Sequence, residues 1–515
     1  MKTYTKHIFF SLAFSLLLLF SNHLYAQSEG SVYSVTGRGG VGTTFVSDYQ
    51  AIGINPANIA IRKNYRDPKF TFGLLEGNVA FSSEAINTNE LLSAITDFRT
   101  ERFDLAQREE AISKFTDKST TIDANVMLFG FSWTMPKKMG GLAFSIRDRM
   151  SSYTVTNSFT SELMFMGAAT SYFPKLVMAN GDIIDNPRHN GTGNLTDDQL
   201  NQVVSGTFEN MDDAQPFSSL LDGTKMKSTW IREFNISYGV QLLETYDLSI
   251  YGGVGVRYLQ GLLIMDFDVN QNGEFQSPIF SSSFVNPIDV LVDGLNDPTF
   301  DDRPMAQKLV NPKPAGSGFG LDAGITFVIK RNLKLGLALN NYGEMNWTGQ
   351  IYSVDDVTLG AVRGQGVDNY NIFVQNEGTV QLAGSNNPLD WQILDESQRI
   401  ELPTTIRLGA SYEFFRLVHL GVDVIIPQND APGNLQEPLY AIGGDFKPFK
   451  LLSFSTGFNF GGNNDVFKFP IGVTYTSRKG FYELGVSTHD VLSYFSLSGN
   501  SSTISIAAAA LRFKL

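Results

Sequence analysis

The sequence predicts an all-β fold: a transmembrane antiparallel β-barrel of about 14 strands. Three observations predict it. From residue 69 to the end, apolar and polar residues alternate with period two in stretch after stretch. Beyond the first 26 residues no run reaches the 18 apolar residues that a spanning helix needs. The connections sort by parity, with tight turns after even strands and mostly longer loops after odd ones. Short turns at one end and longer loops at the other are the rule in bacterial barrels, and a soluble sandwich has no reason to follow it.

Residues 1–26 read as a cleaved export signal. Lys2 and Lys6 form its basic start, Ile8 to Phe20 its apolar core, and Leu24-Tyr25-Ala26 its cleavage site. The core is too short to span a membrane as a helix. The formal charge of −13 becomes −15 once the two leader lysines are removed, which argues against nucleic acid as a partner. There are 0 cysteines, so disulfides, thiolate catalysis and thiolate-held zinc are excluded. His7 and His23 leave with the leader, and His189, His419 and His489 remain.

Next comes Gly37 to Ala60, GRGGVGTTFVSDYQAIGINPANIA. Gly37, Gly39 and Gly42 fit G-x-G-x-x-G. A dinucleotide site also needs a preceding strand, a following helix and an acid about 20 residues on. Here an export signal precedes, and Arg62 and Lys63 stand where the acid should be. A phosphate loop would need Gly-Lys-Ser/Thr, but Thr43 follows Gly42. The better reading is a tightly folded segment in a narrow space, where glycines let the backbone turn sharply.

The predicted strands are 69–83, 123–134, 139–152, 230–242, 246–268, 316–329, 333–347, 402–415, 417–427, 438–447, 450–461, 467–477, 480–489 and 501–515. In 450–461, Leu452, Phe454, Phe458 and Phe460 share one face while Ser453, Ser455, Gly457 and Asn459 share the other. In 402–415, Ile406, Leu408 and Tyr412 oppose Arg407, Gly409 and Ser411. In the last strand, Ile504 and Ile506 have the opposite parity to Leu511 and Phe513, which predicts a bulge between them. Within the loops, 158–173 reads as helical and 181–215 as an exposed polar stretch. The predicted domains are the leader 1–26, an N-terminal segment 27–68 and a barrel 69–515.

Asn55-Pro56-Ala57, coming after the glycine run, resembles the N-terminal hatch of FadL-like outer-membrane transporters. Leu142 to Arg149 and Arg257 to Gly261 resemble an uncharacterised branch of exported barrels related to them. That family continues Asn-Pro-Ala-Gly-Leu, whereas Asn58-Ile59 follow here. The resemblance implies that 27–68 is a hatch inside the lumen, that outer-membrane lipid surrounds the barrel, and that hydrophobic or amphipathic small molecules pass through it. It also implies that a ligand moves past a shifting hatch and leaves sideways between strands. Asn55, Pro56 and Ala57 would hold the hatch, and Gly37, Gly39 and Gly42 would let it move. PorV-like relatives of type IX secretion imply the alternative of a binding or scaffold subunit, with protein partners on the outer loops.

Parity places Arg147, Arg149, Arg257, Lys334, Arg407 and Lys468 in the lumen with Asp322, Glu413 and Asp423. An arginine or lysine facing lipid at the midplane would cost about 2–4 kcal/mol. These charges read first as an ion-pair network that holds the hatch, and second as a basic patch for an acidic head group. Asp148 points outward and is expected near the rim. Asp268, Asn270, Asn272 and Gly273 begin like an EF-hand loop, but Ile279 replaces the bidentate glutamate, so no metal and no cofactor is expected. No catalytic residue is expected either: G-x-S-x-G is absent, and an enzyme would need a Ser–His pair within reach in the lumen.

Overall fold

The computed structural model describes residues 31–62, 68–90, 102–136, 138–269, 275–276, 279–281, 304, 307, 311–354, 358–369, 391–415, 417–435, 437–462, 467–495 and 502–515. The leader, Asn270 to Gly273 and the acidic stretch Asp297 to Asp302 lie outside the described residues.

The barrel strands are β1 (Phe70–Ser83), β2 (Ser119–Thr134), β3 (Gly141–Val155), β4 (Lys225–Glu244), β5 (Leu248–Val269), β6 (Gly316–Ile329) and β7 (Leu333–Val354). β8 runs in two segments, Trp391–Glu401 and Thr405–Phe414. Then come β9 (Val418–Pro427), β10 (Leu439–Phe449), β11 (Leu452–Phe460), β12 (Ile471–Thr476), β13 (Tyr482–Thr488) and β14 (Ser502–Lys514). Each pairs antiparallel with its neighbour, and β14 returns to β1 from Thr71↔Lys514 to Ser83↔Ser502. A sheet without edges leaves no backbone amide exposed to hydrocarbon. All 14 strands coincide with predicted ones.

The alternation becomes two faces. Val254, Val256, Ile442, Val486 and Ile506 are exposed on the outside. At the short-turn end, aromatic pairs such as Phe70 with Trp133 and Phe72 with Phe513 form a girdle. At the long-loop end, Tyr258 with Phe319 and Tyr440 with Phe460 form another. Two such girdles bounding an apolar band mark the two interfaces of a bilayer. The short turns use left-handed backbone: Lys330 and Arg331 both have positive φ, 48° and 65°, as a primed hairpin turn requires.

The predicted bulge is present in β14, and it is shared. Leu74 pairs with Leu511 and Phe129, while Glu76 pairs with Ala509 and Met127. Leu75, at φ 53°, stands opposite Ala510 and Leu128, and it is their strands, β14 and β2, that carry an extra residue against β13 and β3: Arg512 to Ala509 faces Glu483 to Gly485, and Phe129 to Met127 faces Ile146 to Arg147. The bulge reverses parity and turns Glu76 inward, where it is buried.

Several strand boundaries need correction: β2 begins at Ser119 rather than 123 and β4 at Lys225 rather than 230, and two further changes have a visible cause. The loop expected over 348–401 contains strand: β7 runs on to Val354 and pairs with Trp391–Glu401. Pro403, which has no N–H to donate, separates that segment from the rest of β8. Likewise β12 begins at Ile471 rather than 467, because Pro470 breaks the ladder and leaves a single bridge, Asn459↔Lys468.

The long loops after β1, β3 and β7 form a folded cap. Its four-stranded sheet has the order 361–363, 203–207, 175–178, 183–185, so 181–215 carries strand as well as exposed polar residues. Helix α1 (Leu105–Phe115) starts at a capping box between Asp104 and Gln107. Helix α2 (Ser158–Met166) is shorter than the predicted 158–173 and starts at Asn157. Leu163, Phe173, Phe217 and Leu359 form one core of the cap, and Met166, Leu176, Leu200 and Val203 another. Buried Arg108 ties α1 to both sides, donating to Phe165 O at 2.6 Å and Gln365 O at 2.5 Å.

Candidate functional site

Residues 31–62 fill the waist of the barrel. They make no long element of their own: a turn at Tyr33–Thr36 and 3-10 turns at Asp48–Ala51 and Pro56–Ala60. Asn55 caps the last of these, with Pro56 at its first position. A segment this short cannot build a core alone. It is therefore held by the wall, and four groups of contacts stand out.

The first is the Asn-Pro-Ala corner. Asn55 Nδ2 donates to Thr43 O at 3.1 Å and to Thr326 Oγ1 of β6 at 2.9 Å. Thr326 Oγ1 donates to Asn58 Oδ1 at 2.8 Å, and Asn58 Nδ2 donates to Thr43 O at 2.9 Å. Asn58, the departure from the family pattern, is thus the second arm of one clamp.

The second group surrounds Asp423 of β9. Its Oδ2 accepts from Gly42 N, Thr43 N and Thr43 Oγ1 at 2.9, 2.8 and 2.7 Å. Successive backbone amides aimed at one carboxylate form a nest. Arg407 lies on the paired strand β8, diagonal to Asp423 across Gly409.

The third group is at the closing seam. Arg512 of β14 pairs with Asp48 at 2.7 Å and with Glu483 of β13. Tyr33 OH donates to Glu483 at 3.1 Å. Tyr49 OH and Gln50 Nε2 donate to Glu76 at 3.1 and 2.5 Å.

The fourth group holds the glycine run. Arg38 reaches Asp445 of β10 at 3.2 Å and lies over the Phe45 ring. Asn459 Nδ2 donates to Gly39 O at 2.9 Å, while Gly39 and Gly40 adopt positive φ of 72° and 103°. Gly37 packs on Gly472 of β12. Among the described residues no strand precedes this run and no helix of length follows it, so its G-x-G-x-x-G spacing serves a turn and not a nucleotide.

The wall answers the segment with glycine. Gly73 and Gly130 face Tyr49; Gly141 faces Ile59; Gly239 and Gly253 face Pro56; Gly324 faces Asn55. Gly336 and Gly409 face Thr43; Gly421 faces Phe45; Gly443 and Gly457 face Arg38; Gly472 faces Gly37; Gly485 faces Tyr33. Each of β1 to β13 contributes one, and β14 offers Ala507 and Ala509 beside Tyr33.

The predicted lumen charges separate by height. Arg147, Arg149 and Arg257 converge on Glu233 of β4 at 3.9, 3.4 and 3.2 Å, and Arg257 also grips Asp322 at 2.7 Å. Arg147 Nη2 donates to Ile52 O at 3.2 Å, linking this cluster to the segment. Glu413 lies elsewhere, at the short-turn end with Lys334, so it does not join the cluster. Asp148 points outward and is held by Arg232 at 2.6 Å. Glu233, Glu76, Glu483, Arg512, Asp445 and Arg38 were missed. For Glu233, Glu483, Arg512 and Asp445 inward parity was the available signal, whereas Glu76 shares the parity of Phe72 and Leu74 and is turned inward only by the bulge.

His419 Nε2 lies 3.1 Å from Ser411 Oγ, the pair an enzyme would need. However, Thr44 Oγ1 donates to that same Ser411 at 2.8 Å, and Phe45 stacks on the imidazole at 3.8 Å. The pair is covered on the side a substrate would use, and it anchors the segment. Below the segment, a cavity of about 640 Å³ opens between Ile61, Arg62, Tyr251, Lys334, Tyr412 and Glu413. Above it, two cavities of about 20 Å³ each hold little more than a water.

Solved structures similar to the chain include the toluene transporter TodX of Pseudomonas putida, 11% identical over 96% of this chain and 100% of that one, with a TM-score of 0.41. Another is the toluene transporter TbuX of Ralstonia pickettii, 12% identical over 95% and 99%, with a TM-score of 0.42. A third is a FadL homologue of Pseudomonas aeruginosa, 10% identical over 95% and 99%, at 0.40. No curated protein matches the chain. A family model does match, over residues 186–491, from the cap through β13. With more than half of its length matched, the chain belongs to the family described as a family of unknown function, DUF5723.

Proposed function

We propose that the protein is an outer-membrane barrel for the passage of hydrophobic or amphipathic small molecules, with residues 27–68 as its hatch. The long-loop end and cap would face outward and the short turns would face the periplasm. The observation that carries this reading is the mode of attachment at the waist. The segment is held by side-chain hydrogen bonds and ion pairs around its whole circumference, and Ile61 and Arg62 line a cavity of about 640 Å³.

A sideways exit also has structural support. The β11–β12 ladder stops at Thr456↔Ile471 apart from one bridge, and the β13–β14 ladder stops at Ser487↔Ala507. Outside this stretch, Phe458, Phe467 and Phe469 form an aromatic cluster. Inside it, Gly37 and Gly39 lie against Gly472 and Pro470. A small shift of the glycine turn would expose an apolar gap, while the Asn55 clamp stays in place.

The test is purification in detergent followed by mass spectrometry of extracted small molecules, with Asn55→Ala and Pro56→Ala as the comparison. A reproducible apolar or acyl compound whose occupancy changes with the hatch variants supports passage. A stoichiometric protein partner with no such compound supports the second reading, a scaffold subunit. That reading has its own observation. Residues 156–224 of the cap carry nine carboxylates against Lys175 and Arg188, a net charge of −7, and eight of the nine are exposed.

A further inference from the structure

The loop after β9 does not lie on the rim. It leaves Pro427, turns into the lumen and buries Ala431, Asn434 and Leu435. Its tip reaches the wall five to six strands away. Gly433, at φ 79°, approaches Thr229 of β4 so closely that an added Cβ would lie 2.9 Å from Thr229 Oγ1. Asp430 pairs with Lys227 of β4 at 3.3 Å. The near end is fixed as firmly, since Asn434 Nδ2 donates to Thr404 O at 3.1 Å and Asn429 Nδ2 to Leu402 O at 2.8 Å. The loop is therefore a strap tethered at both walls. Beneath it, one of the cavities of about 20 Å³ lies between Gly433 and Asn434 above and Gly53 below.

From these contacts we infer that residues 428–435 form a second closure of the lumen, in series with the hatch and independent of it. The strap and the hatch touch the same chamber from opposite sides, but they are tethered through different residues: Leu402, Thr404 and Lys227 for the strap, and Thr326, Asp423 and Arg512 among others for the hatch. Movement of the hatch breaks none of the strap's contacts to Thr404, Leu402 or Lys227. A molecule travelling along the axis would thus meet two barriers, with Arg149, Asn341 and Arg407 lining the space between them.

The absence of cysteine makes the test direct. Thr405→Cys places one thiol in the chamber, and Ser219→Cys places one on the exposed cap. Both are treated with a charged methanethiosulfonate reagent in detergent, with heat-modifiable gel mobility reporting that the barrel is folded. The Thr405→Cys thiol is expected to react at least about tenfold more slowly than the cap thiol, as a site reached only by local opening does. Replacing 429–435 by a Gly-Ser linker, or combining Lys227→Ala with Asn434→Ala should that variant fail to fold, is expected to raise the rate by about tenfold or more. Equal reactivity of the two thiols in the otherwise native chain overturns the inference. So does a rate that ignores the loss of the strap, because the cap or the hatch would then be the barrier. None of these readings depends on a transported compound, so the passage reading can fail while the strap stands.

Discussion

At Gly324 the wall comes so close to the N-terminal segment that an added methyl carbon would lie 2.1 Å from Asn55 Oδ1, and at Gly253 it would lie 2.3 Å from the carbonyl carbon of Pro56. Neither neighbour is the free end of a flexible chain. Gly324→Ala and Gly253→Ala are each expected to destabilise the protein by about 1–3 kcal/mol, the usual cost of overpacking. A lowered thermal midpoint of the heat-modifiable band would register this, and an unchanged midpoint would refute it. Asp423 illustrates the opposite case, a side chain whose removal leaves three donors unanswered. Asp423→Ala is expected to cost about 2–4 kcal/mol. Hydrogen exchange should show the Gly42 and Thr43 amides losing protection before the strands do. Sequence pattern announced neither site in full. The small inward residues were visible, but the partner of each lies hundreds of positions away, and alternation carries no information about what fills a lumen.

Among the elements, long regular strands were the easiest to read. A strand of ten or more residues supplies five or more alternations, enough to fix its face and to expose a parity reversal such as the one between Ile506 and Leu511. The Trp391–Glu401 segment was missed because its own alternation is weak and Pro403 cut it from the clear part of β8. The cap sheet was missed because its strands are three to five residues long, too short to show a period. The cap also depends on one cation more than its apolar cores suggest. Arg108 is buried, and its guanidinium serves two backbone carbonyls on segments about 200 residues apart. Arg108→Ala leaves both carbonyls without a donor and is expected to cost about 3 kcal/mol. The expected outcome is proteolytic cleavage within 103–116 while the barrel core remains intact, and co-degradation of the barrel would contradict it.

For the molecule as a whole, the belt of glycines has a consequence for how it can be put together. Thirteen strands are shaped to the profile of one 32-residue segment, and the fourteenth closes the ring by setting Arg512 on Asp48. A cylinder completed while empty would have to admit a folded insert through a mouth already narrowed by the strap. A sheet that curls around the insert and seals last at β14 meets no such obstacle. The N-terminal segment would then act during assembly like the core in a casting, present before the metal sets and fixing the inner surface it leaves behind. Wall and core would have to change together in descent, so an N-terminal segment borrowed from a relative should fit this barrel only if its matching glycines come with it.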